Sequence, residues 1–158
     1  MLFEDRVIVR APVPTVWEFL LDPRALATCI PGAEDVTQLD DRTFTAMIQA
    51  SVGPMSGKFA FRAQIVDCQP PSQMTARVEG VDSVTRSTLH SDTVVELTPL
   101  GPTETALAYH ATVQVKGRLA ILGEMVLRTT AALLLAECAR RLQAQLAARA
   151  SSTERPAP

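Results

Sequence analysis

Two histidines, three cysteines and scattered serines and acids are the side chains of this 158-residue sequence with the means to do chemistry. His90 and His110 belong to no HxH or HExxH pair, and no carboxylate cluster has the spacing of a metal site. His90 runs opposite in phase to Leu89 and Thr93, and His110 to Tyr109 and Val113, which places both on a solvated strand face. The sharper use is His110 as a general base at a pocket mouth. Cys29, Cys68 and Cys138 form no CxxC pair and read as reduced, buried thiols; Cys29 and Cys138 lack the neighbouring His or acid that a nucleophile needs. Ser51, Ser56 and Ser87 belong to no GxSxG elbow. Gly53-Pro54 and Gly57 form a turn pattern, not a phosphate cradle. Glu124 and Arg128 are spaced as a solvated i,i+4 helix pair, the alternative being Glu124 turned inward as an acid. No catalytic residue, no metal ligand and no covalently bound cofactor is expected.

Whatever function the chain has must therefore come from shape and apolar surface. Its length fits one domain, and 47% hydrophobic residues suffice for a sizeable core. Fifteen Lys and Arg against seventeen Asp and Glu, without single-sign runs, give no field that would attract nucleic acid. The opening Met1-Leu2-Phe3-Glu4-Asp5-Arg6 has acids where a secretion signal carries basic residues, so a cytoplasmic location is expected. The longest apolar run, Ala131 to Ala136, falls far short of a membrane span.

Residue patterning supplies the elements. Phe3, Asp5, Val7 and Val9 alternate as one strand face. Pro14 suits the first turn of a helix over Thr15 to Leu21, and Asp22-Pro23 caps and opens a second short helix that ends at Pro31-Gly32. A lead-in strand, Ala33 to Leu39, precedes a turn at Asp40-Asp41-Arg42. Five alternating runs follow, carrying Phe44 to Val52, Phe59 to Ile65, Met74 to Gly80, Leu89 to Leu97 and Leu107 to Val115, for about seven strands in all. From Arg118 to Arg149 helix formers dominate, giving a helix on the order of 45 Å. Its first half places Leu119, Leu122, Met125, Val126 and Leu133 on one side; its second half places Leu134, Cys138, Leu142 and Leu146 together. A stripe that swings midway suits a helix gripped by a curved sheet at one end and covered by the amino-terminal helices at the other. The domain is expected over residues 1–149, with 150–158 a disordered tail.

This order, an α+β arrangement of strand, two short helices, antiparallel meander and long helix, resembles the START-like helix-grip fold. A sheet too curved to pack flush on one helix leaves a cavity. Phe44, Ile48, Phe59, Phe61, Met74, Val78 and Tyr109 line it, interspersed with small residues such as Ala46, Gly80 and Ala111 that leave volume for an apolar guest. Trp17, Leu122 and Met125 complete the lining from the helices. The alternative is a core filled by its own side chains.

Specific stretches also resemble one family. Val9-Arg10-Ala11-Pro12 with Val16-Trp17, Leu21-Asp22-Pro23, Cys29-Ile30-Pro31-Gly32-Ala33-Glu34, Ser51-Val52-Gly53-Pro54, Asp67-Cys68-Gln69-Pro70-Pro71, Val115-Lys116-Gly117-Arg118-Leu119-Ala120 and Leu122-Gly123 are similar to segments of the family of the carbon-monoxide dehydrogenase G subunit, within the START-like (SRPBCC) superfamily. The resemblance implies a non-catalytic accessory protein serving a molybdenum-containing carbon-monoxide dehydrogenase or related hydroxylase. It would hold an isoprenoid quinone or lipid, and help recruit the enzyme or pass electrons to quinone. Ile30, Pro31 and Gly32 would shape the pocket mouth. Many members continue into a membrane-binding tail, whereas this chain stops at Ala157-Pro158, so at most peripheral contact with the inner face of the cell membrane is expected. The alternative from the same superfamily is a polyketide cyclase or dehydratase, which the scarcity of inward ionisable groups disfavours.

Overall fold

The computed structural model describes residues 1–82 and 84–154. β1 (Leu2–Val9) leads into α1 (Val13–Leu20), where Pro14 occupies the first turn and needs no N–H partner. α2 (Pro23–Ala27) starts at Asp22, whose carboxylate accepts from the N–H groups of Arg24 and Ala25 at 3.1 and 3.2 Å. β2 (Ala33–Asp40), β3 (Thr43–Val52), β4 (Met55–Gln69), β5 (Gln73–Asp82), β6 (Ser87–Gly101) and β7 (Glu104–Lys116) then form the meander. All seven strands make one antiparallel sheet in the order β1-β7-β6-β5-β4-β3-β2.

The strands pair so that the alternating apolar sets fall in register. Phe3, Ala111, Thr93, Ala76 and Ile65 form one row across the sheet. Val115, Leu89, Gly80, Phe61 and Ala46 form another. A one-residue slip would turn an entire set toward water, so this agreement fixes the pairing. Register shifts in β2 to β3, between Ile65 and Asp67 in β4, and between Pro99 and Gly101 in β6 add twist and bend to long strands. The sheet therefore curves, with the apolar rows on its concave side and charged residues outside. On the outer face Lys58 meets Glu34 at 2.6 Å and Arg77 meets Asp92 at 3.3 Å, exposed pairs that add little stability.

The carboxyl-terminal helix differs from its expected form in two ways. Arg118–Leu122 is a 3-10 helix, and α3 proper runs Glu124–Glu154. Gly123, at φ +89, separates them in a conformation that L side chains rarely adopt. α3 also continues past Arg149, so residues 150–154, expected in a disordered tail, are helical; residues 155–158 lie outside those described.

α3 spans the concave side. Along β1 it is tied by Arg128, whose Nη1 donates to the Leu2 carbonyl at 3.1 Å, and by Gln143, whose Nε2 donates to the Ile8 carbonyl at 3.0 Å. Near the opposite edge Val126 and Leu122 lie against Gly53 of the β3–β4 turn. One packed core fills only the far end of this span. There Val7, Val9, Val16, Trp17, Phe19, Met74, Leu97 and Leu107 enclose Leu142, Leu146 and Ala150. Each large side chain fully withdrawn from water there contributes about 1.5–3 kcal/mol.

Candidate functional site

Under the first half of α3 the same concave face is not closed. Phe44, Ile48, Phe61, Val78, Leu89, Val113 and Val115 point inward by register yet remain half-buried, as do Val126, Leu127, Thr130 and Ala131 of the helix facing them. An inward side chain that water still reaches borders on space. At the β1 side, β1 starts at Leu2 opposite Thr112, so the last residues of β7 pair only with β6 and leave a free edge. An open groove of about 540 Å³ lies there, lined in part by Val113, Val115, Lys116, Ala120, Glu124 and Leu127. Its volume falls within the range of small-molecule sites.

The residues expected to line a cavity separate into groups. Phe44, Ile48, Phe61 and Val78 border the open half; Phe59 and Ala111 sit buried on the same face. Trp17, Met74 and Tyr109 belong instead to the packed end, where α1 and the second half of α3 cover them. Ile30 and Pro31 are half-buried at the α2–β2 corner, and Leu122 is half-buried beside the β3–β4 turn. Met125 is 83% exposed and faces away from the sheet, as does Leu133. For Met125 the break at Gly123 explains this. The helical phase restarts there, so a projection carried through from Leu119 misplaces the turns that follow. None of the expected lining residues borders the groove. Gly80 leaves no void either: the Phe61 ring lies over it, 2.6 Å from where a Cβ would stand, and Phe59 packs beside Phe61 at 5.9 Å between centroids.

Polar groups on the concave face are few. Ser91 and Thr93 share a 3.2 Å hydrogen bond in the middle of β6, and both escaped the expected set although the alternation of Leu89, Thr93 and Val95 puts them in phase. Tyr109 has its phenol pKa raised, chiefly by burial and then by the charge of Asp5 beside it on β1. Burial pushes the Cys138 thiol up to about 11, and also raises Cys29 against the opposing hydrogen bond from Thr28. Both are protonated near neutral pH. His90 and His110 lie on the convex face, near Asp92 and Glu4 respectively at 3.3 Å. Glu124 and Arg128 pair at 2.9 Å on the surface, and this holds the Glu124 carboxyl below its usual range. Among the described residues no group of His, Cys, Asp and Glu is placed to hold a metal ion.

Missing from the expectations is a buried polar knot at the β5–β6 turn. Asp82 accepts from the Thr85 hydroxyl at 2.9 Å and the Val84 N–H at 2.9 Å, and Ser87 Oγ accepts from the Leu119 N–H at 3.0 Å. Its role is positional: it fastens the 3-10 helix, and with it the floor of the groove, to the sheet.

A curved antiparallel sheet gripping one long helix, with an apolar concavity beneath it, defines a START-like helix-grip domain. Solved structures agree. A conserved protein from Geobacillus kaustophilus is 24% identical, with TM-score 0.85 over 93% of this chain and 95% of that one. A START superfamily protein from Mycobacterium smegmatis is 16% identical, with TM-score 0.71 over 96% and 98%. The Zhui aromatase/cyclase from Streptomyces sp. R1128 is 15% identical, with TM-score 0.71 over 98% of both. Residues 6–147 match the family model of CoxG, the G subunit of carbon monoxide dehydrogenase, and the chain belongs to that family. No curated protein matches the sequence.

Proposed function

We propose that this protein is a non-catalytic accessory protein that holds an apolar small molecule, an isoprenoid quinone or a lipid, between its sheet and the first half of α3. Its partner would be a molybdenum-containing carbon-monoxide dehydrogenase or a related hydroxylase, which it would help recruit or whose electrons it would help pass to quinone. Membership of the CoxG family supports the partner class. The observation that carries the ligand is the half-open concave face, whose Phe44, Ile48, Phe61 and Val78 are apolar, inward and still reachable by solvent. Filling such a space with an apolar guest removes that surface from water at roughly 25 cal/mol per Å². The test is native mass spectrometry of freshly purified protein, with organic extraction and chromatography. An apolar molecule of defined mass is expected to co-purify, or to load from a panel of quinones and fatty acids. Failure to retain or accept any member of that panel overturns the reading.

The second reading is a polyketide cyclase or dehydratase-like enzyme, which the aromatase/cyclase fold neighbour and the perturbed Tyr109 favour. Its chemistry needs a proton donor or acceptor at the reacting carbon. Tyr109 packs against the closed core and not against the open half, so it is poorly placed for that task.

A further inference from the structure

β6 carries two hydroxyls into the concavity. Ser91 lies in the row of Phe44, Ala63, Val78 and Val113, and Thr93 in the next row, with Ile65, Ala76, Ala111 and Phe3. Ser91 is 7% exposed and Thr93 is half-buried, so both stand among apolar neighbours with little water to satisfy them. Serine has no strand preference that would account for its place in an apolar row. The two oxygens lie 3.2 Å apart, and neither hydroxyl makes another hydrogen bond among the described residues. Two hydroxyls that share one hydrogen bond use one of their two protons. Whichever of them donates, the other keeps an O–H without an acceptor, and the bond it accepts makes it the stronger donor. Across the gap Thr130 spends its own proton on the Val126 carbonyl at 2.9 Å. No Lys or Arg of the seven strands shares the concave phase, whereas Asp5, exposed at the β1 edge, and Asp82, buried in the knot at the turn, both do. On α3, Arg128 is occupied by Glu124 and the Leu2 carbonyl.

We propose that Ser91 and Thr93 select the ligand by its polar end: an apolar molecule with a neutral carbonyl oxygen, as in a quinone or an ester, accepts the free O–H and is preferred over a carboxylate. This selection rests on the reading of the concavity as a site for an apolar molecule. A carbonyl gives up water on entry and regains a hydrogen bond from the pair. A hydrocarbon of the same shape leaves the O–H unsatisfied. A carboxylate must shed a much stronger hydration shell, with no cation on the concave strand face to meet it and two acids of its own sign there. The position of the pair also sets the direction of the ligand. Thr93 shares its row with Ile65, which packs against the closed core, so the carbonyl stands at the inner limit of the open half. An apolar chain attached to it would run outward past Val78, Phe61 and Phe44 beneath the first half of α3.

The test is equilibrium dialysis of the full, ligand-free chain at neutral pH against methylnaphthalene, its quinone menadione, methyl decanoate and decanoate. Decanoate is expected to bind roughly ten-fold or more weakly than its methyl ester. The tighter of menadione and methyl decanoate identifies the carbonyl as that of a quinone or of an ester, and either order supports the selection. Ser91→Ala combined with Thr93→Val removes both hydroxyls at nearly constant volume. It should weaken menadione about five-fold and leave methylnaphthalene unchanged, a difference that a merely structural role of the pair would not produce. The ratio of ester to acid is read on the parent chain and so decides even if the double variant does not fold. Equal weakening of menadione and methylnaphthalene, menadione binding untouched by the two substitutions, or decanoate binding as tightly as its ester overturns the selection while leaving the concavity a binding site. Uptake of none of these molecules overturns both.

Discussion

Gly32 and Gly117 adopt φ of +80 and +92, and in each case a Cβ would overlap a backbone carbonyl oxygen, that of Gln49 or of Arg86. The Gln49 N–H in turn donates to the Gly32 carbonyl at 3.0 Å. These glycines sit in Ile30-Pro31-Gly32-Ala33 and Gly117-Arg118-Leu119-Ala120, the most specific stretches by which the sequence resembles its family. Both stretches are thus explained by close backbone approach at two corners of the fold. Gly117→Ala is expected to lower unfolding free energy by about 3 kcal/mol or more in urea titration, since the altered φ and the clash act together. Gly101 provides the control: a Cβ there meets nothing within 4 Å, so Gly101→Ala should stay within about 0.5 kcal/mol of the parent. The sequence displays these glycines but not their reason, because the carbonyls they approach, those of Gln49 and Arg86, come from residues distant in the chain.

At the level of elements, strands and helix were not equally legible. A strand face needs only a period of two, and the runs from Phe44 through Val115 landed on the concave side as read. α1, α2 and their prolines were equally readable, because caps and first turns are local. The long helix was not, since Gly123 resets its phase and its surroundings change from end to end. Leu146 is fully buried between α1 and the sheet, while Leu133 is 68% exposed. Leu146→Ala should therefore cost about 2–5 kcal/mol, and Leu133→Ala no more than about 0.5 kcal/mol. Similar losses at both positions, measured by chemical denaturation, would contradict the uneven grip.

Across the whole molecule, packing concentrates at one end of the span and leaves the other open. Trp17, Met74 and Tyr109 close the core, and Phe44, Ile48, Phe61 and Val78 border the concavity. Ala111 lies between these regions, paired with Phe3 and Thr93 on the concave face. Ala111→Trp should push an indole into the open half and weaken uptake of an apolar probe by roughly ten-fold or more. Ala111→Leu, with less volume to accommodate, should weaken it by a smaller factor and guards against failure of the larger variant to fold. Unchanged uptake in folded Ala111→Trp protein, followed by probe fluorescence, would show that this face does not border the bound molecule.

The sequence by itself determined the seven strands, the two short helices, the terminal helix and the apolar face shared by the strands, because each follows from periodicity and from caps within a few residues. It also carried the family in its glycine-bearing corners. Only the tertiary structure decided where the concavity opens, which inward residues remain reachable and which helical residues turn away to solvent. Those depend on how far β1 extends along β7, on the bulges that curve the sheet and on the height at which Arg128 and Gln143 hold α3 above it. Such quantities arise between elements, and no single segment encodes them.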